Sequence, residues 1–165
     1  MAKSRKTFSL ILMACLLLVV GYTLTGCGND EIQLPNKKLE GKINGLEWSS
    51  DKANAYTFST DFKYEVKLLS EDEPGSDPCS APSPSKPFLS AVFKPSEGSF
   101  SLGSALVDPN QVVVRIHPNT SSELIVTNGF MEIYLIDNAQ MFGYIQAILD
   151  DDNTVEGSFE VSFCN

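Results

Sequence analysis

The sequence predicts an all-β fold, a single antiparallel β-sandwich of two sheets. Short segments alternate apolar and polar residues, as Tyr64, Val66 and Leu68 do with the lysines and glutamate between them. That period of two is typical of a strand with one buried face. Turn residues separate such segments at intervals of roughly ten residues, which is typical of sandwiches and barrels. No segment has a convincing helical period, and no internal repeat or second domain is visible.

Residues 1–26 form the first element, which reads as a cleaved N-terminal signal peptide. Three positive charges precede an apolar run from Phe8 to Val20, and small residues follow it. This order is that of a secretory signal. A transmembrane anchor is the alternative, because 8–27 is about as long as a bilayer span. Gly21 and Gly26 weaken the far end of that span. A third reading leaves Cys27 as a plain thiol after cleavage.

The end of this element is more specific. Leu24-Thr25-Gly26-Cys27 resembles the lipobox of bacterial lipoproteins at all four positions. The resemblance implies cleavage before Cys27, a diacylglycerol on its thiol and acylation of the new amine, so that palmitate and related chains hold the protein. Each buried methylene contributes about 0.8 kcal/mol, and two or more chains hold firmly. Gly28 follows the cysteine in place of the aspartate that marks inner-membrane retention in some families, which favours the outer membrane.

Residues 27–38 follow as a flexible tether, because the stretch is polar and poor in apolar residues. Asp30 and Glu31 resemble the acidic export tag of some surface-displayed lipoproteins, although a solvated linker has the same composition. Residues 39–165 then form the β-sandwich domain. The 139 residues after 26 suffice for one domain with a real core.

The net charge of the chain limits the classes of binding partner that it can have. Nine of the 12 basic residues and all 21 acidic residues lie after residue 26, which gives the mature chain a net charge of −12. Nucleic acid is excluded, because its phosphates need lysine and arginine. A body lying flat on anionic lipid is disfavoured for the same reason. The expected partners are the membrane, through the lipid anchor, and a glycan or protein of the envelope.

The four cysteines divide by position. Cys15 leaves with the signal and Cys27 takes the lipid, so that Cys79 and Cys164 remain as an even pair in an exported chain. We therefore predict a disulfide between them. Two free buried thiols are the alternative, and two cysteines with one histidine lack zinc spacing. Cys164 shares the outward parity of the last strand, so the loop with Cys79 should lie outside the core.

Turn chemistry places the remaining elements in order. Asn44-Gly45 predicts a hairpin, and Asn128-Gly129 predicts a second one. Residues 71–86 form a long proline-rich surface loop, because its prolines forbid a ladder strand. Phe130–Ile136 is apolar on both parities except for Glu132 and predicts a central strand. The other expected strands are at 39–48, 56–58, 62–68, 87–94, 100–102, 112–116, 124–127, 141–149 and 155–163.

Few residues suggest chemistry. Trp48 and Tyr56 could offer an aromatic platform for a sugar or peptide, although a lone tryptophan beside a hairpin is more often core. Asp150, Asp151 and Asp152, with Glu156 nearby, are the best candidates for binding Ca²⁺, without the spacing of an EF-hand. An acidic hairpin turn is usually only solvated. No other cofactor is indicated.

Two further features have mainly structural interpretations. His117 is the only histidine, so a Ser-His-Asp triad would have to use it, yet it precedes Pro118 at a strand end without a nucleophile elbow. An exposed or capping turn histidine fits it better. The proline-rich loop could dock a partner through extended backbone, although a connector fixed by Cys79 has the same composition.

The sequence as a whole favours a lipid-anchored cell-envelope protein with a non-catalytic binding or structural role, displayed in the periplasm or at the surface. It resembles the many small β-rich lipoproteins of diderm bacteria. One alternative is a carbohydrate-binding accessory lipoprotein that uses Trp48 and Tyr56. The other is a small hydrolase that uses a pair of its acidic residues.

Overall fold

The computed structural model describes residues 36–58, 63–75, 77, 79, 84–119 and 121–164, within a compact unit that spans Leu34–Asn165. The lipobox and residues 27–35 of the tether lie outside the described residues, and so do the side chains of Lys52 and Tyr56–Phe58. Within the described ranges, no helical segment has the length and apolarity that crossing a bilayer requires.

Every extended element of the described chain is a β-strand, which confirms the all-β prediction. The strands are β1 Leu39–Ile43, β2 Leu46–Ser50, β3 Lys52–Phe58, β4 Lys63–Leu69, β5 Phe88–Phe93, β6 Gly98–Leu102, β7 Gln111–Asn119, β8 Ser122–Val126, β9 Asn128–Ile136, β10 Gln140–Asp150 and β11 Asn153–Cys164.

The strands form one sheet that closes on itself, and the expected division into two sheets is wrong. Eight strands make the ring in the order β10-β9-β6-β7-β5-β4-β3-β11, and pairing of β10 with β11 closes it. Two contacts, β6 with β7 and β3 with β11, are parallel. A sandwich and a closed barrel share the same inward and outward alternation. The strand pattern therefore cannot distinguish them.

The first hairpin is built as predicted. Asn44 and Gly45 both have positive φ, 55° and 75°, between β1 and β2, which pair from Ile43 and Leu46 outward. This turn lies against the β10–β11 turn, where the backbone N–H of Gly45 donates to the carbonyl of Asp152 at 2.9 Å. β1 also pairs with β11, so the hairpin extends the sheet beyond the ring.

The second predicted hairpin, at Asn128-Gly129, is wrong. β8 pairs with β7, and Asn128 and Gly129 lie inside β9, opposite Ile148 and Ala147 of β10. Gly129 has φ of +126°, and a Cβ there would lie 1.9 Å from the backbone oxygen of Gln146. The glycine is therefore needed for the close approach of two strands and makes no turn.

The core fills the interior of the ring. Inward-facing residues of the ring strands are buried, among them Val66, Val114 and Ile145, and Phe93 packs edge-on against Phe100 with ring centroids 5.4 Å apart. The largest fully buried side chains include Leu68, Leu89 and Met131. Buried apolar side chains of the described strands occupy this interior.

The loop between β4 and β5 is fastened at two points. Cys79 and Cys164 form a disulfide with Cα atoms 5.5 Å apart, the pairing expected from the sequence. Glu73, only 6% exposed, accepts hydrogen bonds from the backbone N–H groups of Ser85 and Lys86, both at 2.9 Å. Both cysteines are partly exposed, so the bond lies at the outer surface of β11.

Candidate functional site on the outer face of β9 to β11

Trp48 does not form an open platform. Its side chain is 6% exposed within the core cluster, and its indole N–H donates to the carbonyl of Pro87 at 2.9 Å. Tyr56 lies on β3 opposite Cys164 of β11, and its side chain is outside the described residues. Trp48 is therefore not available to a ligand as part of an aromatic platform with Tyr56.

In the acidic turn between β10 and β11, the side chain of Asp150 accepts hydrogen bonds from other residues of the turn. Oδ1 of Asp150 accepts from the backbone N–H of Asp152 at 3.0 Å and from Nδ2 of Asn153 at 2.8 Å. Glu156 instead pairs with Lys37, whose Nζ lies 2.8 Å from Oε1. In the described part of the chain, no three histidine, cysteine or acidic side chains are placed to hold a metal ion. The predicted Ca²⁺ ligands are therefore not assembled.

His117 is held as a structural group. Its ring stacks on Phe88 with centroids 4.2 Å apart, and Nε2 lies 2.9 Å from Oγ of Ser90. Burial lowers the pKa of His117, so the ring is neutral at physiological pH. Ser90 is only 3% exposed, and no described carboxylate is hydrogen-bonded to the ring. The pair lacks the third member and the access that a catalytic triad needs.

The outer face of β9, β10 and β11 carries a group of aromatic and polar side chains that sequence reasoning missed. We call it the aromatic face: Lys37, Phe130, Glu132, Tyr134, Tyr144 and Glu156. Strand alternation places these side chains outward, with Glu132 directly opposite Tyr144 on the neighbouring strand. All three aromatic rings are partly exposed. The one sign of this face in the sequence is that β9 is apolar, apart from Glu132, at its outward positions as well as its inward ones. That pattern predicts a central strand covered on both sides.

A β-bulge in β9 lies at Tyr134 of this face. Phe142 pairs with Leu135 and Gly143 pairs with Ile133, so Tyr134 is an extra residue on β9. Bulges of this kind re-aim a side chain. Gly143 of β10 lies next to the bulge and faces the core. A Cβ there would lie 2.5 Å from Cζ of Phe159, so the position has no room for a side chain. Tyr134 keeps the outward parity of Phe130 and Glu132, and the bulge also turns Leu135 outward, where it is 44% exposed.

Hydrogen bonds fix the polar groups of the face. The hydroxyl of Tyr144 donates to Oε1 of Glu156, the oxygen that also pairs with Lys37. Lys37 and then Tyr144 hold the pKa of Glu156 below its ordinary value, so Glu156 is ionised at neutral pH. Burial and the Glu156 contact raise the pKa of Tyr144 to about 12. Burial and Glu132 also raise the pKa of Tyr134. Both phenols stay protonated.

The face borders an open groove of about 390 Å³, lined by Lys37, Phe130, Glu132, Tyr134 and Tyr144. Lys37 also lines a second groove of about 490 Å³, on the side of Phe142 and Ser158. The carbonyl of Lys37 accepts from the backbone N–H of Ser158 at 2.8 Å, which holds this end of the tether on β11. The face therefore combines stacking surfaces with hydrogen-bonding groups at the point where the chain enters the body.

Comparison of the chain with protein-family models, with curated proteins and with solved structures finds no match.

Proposed function

We propose that this protein is a lipid-anchored, non-catalytic binding protein of the cell envelope, attached through Cys27 to the outer membrane and displayed in the periplasm or at the surface. The observation that carries the proposal is the four-residue match of Leu24-Thr25-Gly26-Cys27 to a lipobox, directly after an apolar signal. Lipid chains on Cys27 would supply the attachment and leave the acidic all-β body to bind a partner.

The contacts of the body support a binding role over a hydrolytic one. Glu156 is held ionised by Lys37 and Tyr144, whereas a general acid needs a raised pKa near the working pH. Ser90 and His117 are hydrogen-bonded to each other, yet Ser90 is buried. The aromatic face, by contrast, presents partly exposed rings and charged groups on rigid strands, which is typical of a binding surface.

Metabolic labelling with an alkyne analogue of palmitate tests the anchor. The full chain should incorporate the label and sediment with outer membranes on a sucrose gradient. Cys27→Ser should abolish labelling and release the protein from the membrane fraction. Cys15→Ser is the matched control, because it removes the other signal-region cysteine and should change neither result. An unlabelled wild type, or a Cys27→Ser protein that remains in membranes, would overturn the proposal.

A further inference from the structure

We propose that the aromatic face binds a neutral glycan chain. This inference deepens the proposed function, which it uses only to place the ligand in the envelope. It moves carbohydrate recognition from Trp48 and Tyr56, where the sequence alone suggested it, to the outer face of β9 to β11.

The first argument is the mixture of side chains. A sugar ring has apolar C–H faces and a rim of hydroxyl groups, so its binding surface needs aromatic rings beside hydrogen-bonding groups. On the face, Phe130 and Tyr144 lie with ring centroids 5.9 Å apart and planes 26° apart. Glu132 is directly opposite Tyr144 and can accept a hydroxyl hydrogen. Lys37 lines the same groove and adds a donor.

The second argument is preorganisation. The bond from Tyr144 to Glu156, together with the Lys37 pair, restrains one ring before any ligand arrives. Glu156 also has a hydrogen bond with Gln146, which lies opposite Phe130. Rigid side chains lose little conformational entropy when they bind. The face can therefore hold a weakly interacting, uncharged ligand.

The third argument excludes other occupants. β9 is paired with β6 and β10, β10 with β9 and β11, and β11 with β10 and β1. A peptide that adds a strand needs a free backbone edge. The backbone is paired on both sides at Phe130, Glu132, Tyr144 and Glu156. Glu132 and Glu156 repel phosphate and other anions, and the mature chain carries −12. A neutral ligand recognised through side chains fits these constraints.

The fourth argument is position. Lys37 is ten residues from Cys27 and contributes to the groove. Ten extended residues span at most about 36 Å. If Cys27 carries the lipid of the proposed function, Lys37 therefore lies at most that far from the membrane surface.

The test is an oligosaccharide array probed with the full-length lipidated protein in detergent micelles, detected through a C-terminal epitope. The array carries neutral glucans, mannans, galactans and N-acetylglucosamine oligomers beside sulfated and uronic-acid glycans. The variants are Phe130→Ala, Tyr134→Ala and Tyr144→Ala, each checked for an intact thermal transition. Leu46→Ala is the control, because Leu46 is 71% exposed at the β1–β2 turn and does not line the groove.

The expected result is binding to one class of neutral glycan that weakens at least tenfold in the face variants and stays unchanged in Leu46→Ala. Tyr134→Ala guards against misfolding at Tyr144, since it removes only the ring on the bulge.

Several results would overturn the inference. They are no neutral glycan signal, a signal confined to anionic glycans, or binding that survives in folded Phe130→Ala and Tyr134→Ala proteins. Dimerisation lost in Phe130→Ala would also overturn it, by assigning the face to a second copy of the chain. Palmitate labelling separates the two proposals. A labelled protein without glycan signal refutes only the glycan, and an unlabelled protein that binds glycan refutes only the anchor.

Discussion

Gly129→Ala and Gly98→Ala form a matched pair that measures how strongly the contact between β9 and β10 constrains the fold. The two glycines have nearly the same backbone angle, φ of +126° and +128°. A Cβ at Gly129 would meet the backbone oxygen of Gln146 at 1.9 Å, whereas a Cβ at Gly98 has nothing within 4 Å. The backbone strain is therefore common to both variants, and the steric clash belongs to Gly129→Ala alone.

The magnitudes follow from these contacts. An L side chain in such a backbone conformation costs about 1–3 kcal/mol, which sets the loss for Gly98→Ala. Relief of the clash at Gly129 requires the strands to separate by more than 1 Å, to reach the 3.0 Å that real Cβ contacts respect. Two ladder hydrogen bonds at about 0.5–1.5 kcal/mol each are then weakened, so Gly129→Ala should lose about 2 kcal/mol more than Gly98→Ala.

Urea unfolding monitored by fluorescence supplies the measurement, with linear extrapolation to the free energy of unfolding in water. The urea slopes of wild type and variants should agree, since both substitutions leave the overall fold in place. If the two variants lose the same stability within about 0.5 kcal/mol, the close approach of β10 to Gly129 does not restrict the residue there, and the reasoning is refuted.

Three further predictions concern the loop between β4 and β5. The double variant Cys79→Ala/Cys164→Ala should lose about 4 kcal/mol in urea unfolding, because the disulfide joins residues 85 apart; a loss under 1 kcal/mol would contradict this. Glu73→Gln should cost about 2 kcal/mol through its buried backbone hydrogen bonds, whereas Glu47→Gln, at an exposed position, should stay within 0.5 kcal/mol. Burial raises the pKa of Glu73, yet its hydrogen bonds outweigh burial and hold it below the ordinary 4.5. The carboxylate therefore stabilises the fold above about pH 4.5 and loses that effect as pH falls through the lower folded value. Thermal melting should show this acid loss in wild type and not in Glu73→Gln.

The local part of the fold was predictable from the sequence, and the closure was not. The strands predicted at 62–68 and 155–163 are present as β4 Lys63–Leu69 and β11 Asn153–Cys164, because the side-chain period of a strand is a property of neighbouring residues. Closure depends on β10 pairing along most of β11 while β3, far away in the chain, pairs with the last residues of β11. Alternation carries no information about such distant partners.

The two Asn-Gly pairs show where the local rule fails. Asn44-Gly45 makes the hairpin turn, whereas Asn128-Gly129 lies inside a strand. The dipeptides are identical, and only their surroundings differ. β8 is already paired with β7, and the approach of Gln146 excludes a side chain at position 129. In the sequence alone, a glycine that is required by a distant backbone contact cannot be distinguished from a glycine that makes a turn.

The candidate site was missed for a related reason. Tyr134 is the extra residue of a bulge in β9, and a bulge depends on the partner strand. Phe130 and Tyr144 are far apart in sequence and meet through the register of β9 with β10. Trp48, the single tryptophan, was a candidate for an aromatic platform in the sequence, and the structure places it in the core.

The bond between Cys79 and Cys164 gives the molecule a particular covalent topology. It turns everything from β5 to β11 into one macrocycle, from which the first four strands emerge as a linear arm. A protease that cuts the segment around Val107, which is 83% exposed, opens the macrocycle without releasing a fragment. Nicked protein should migrate as one band on a non-reducing gel and separate into two bands only after a reductant is added.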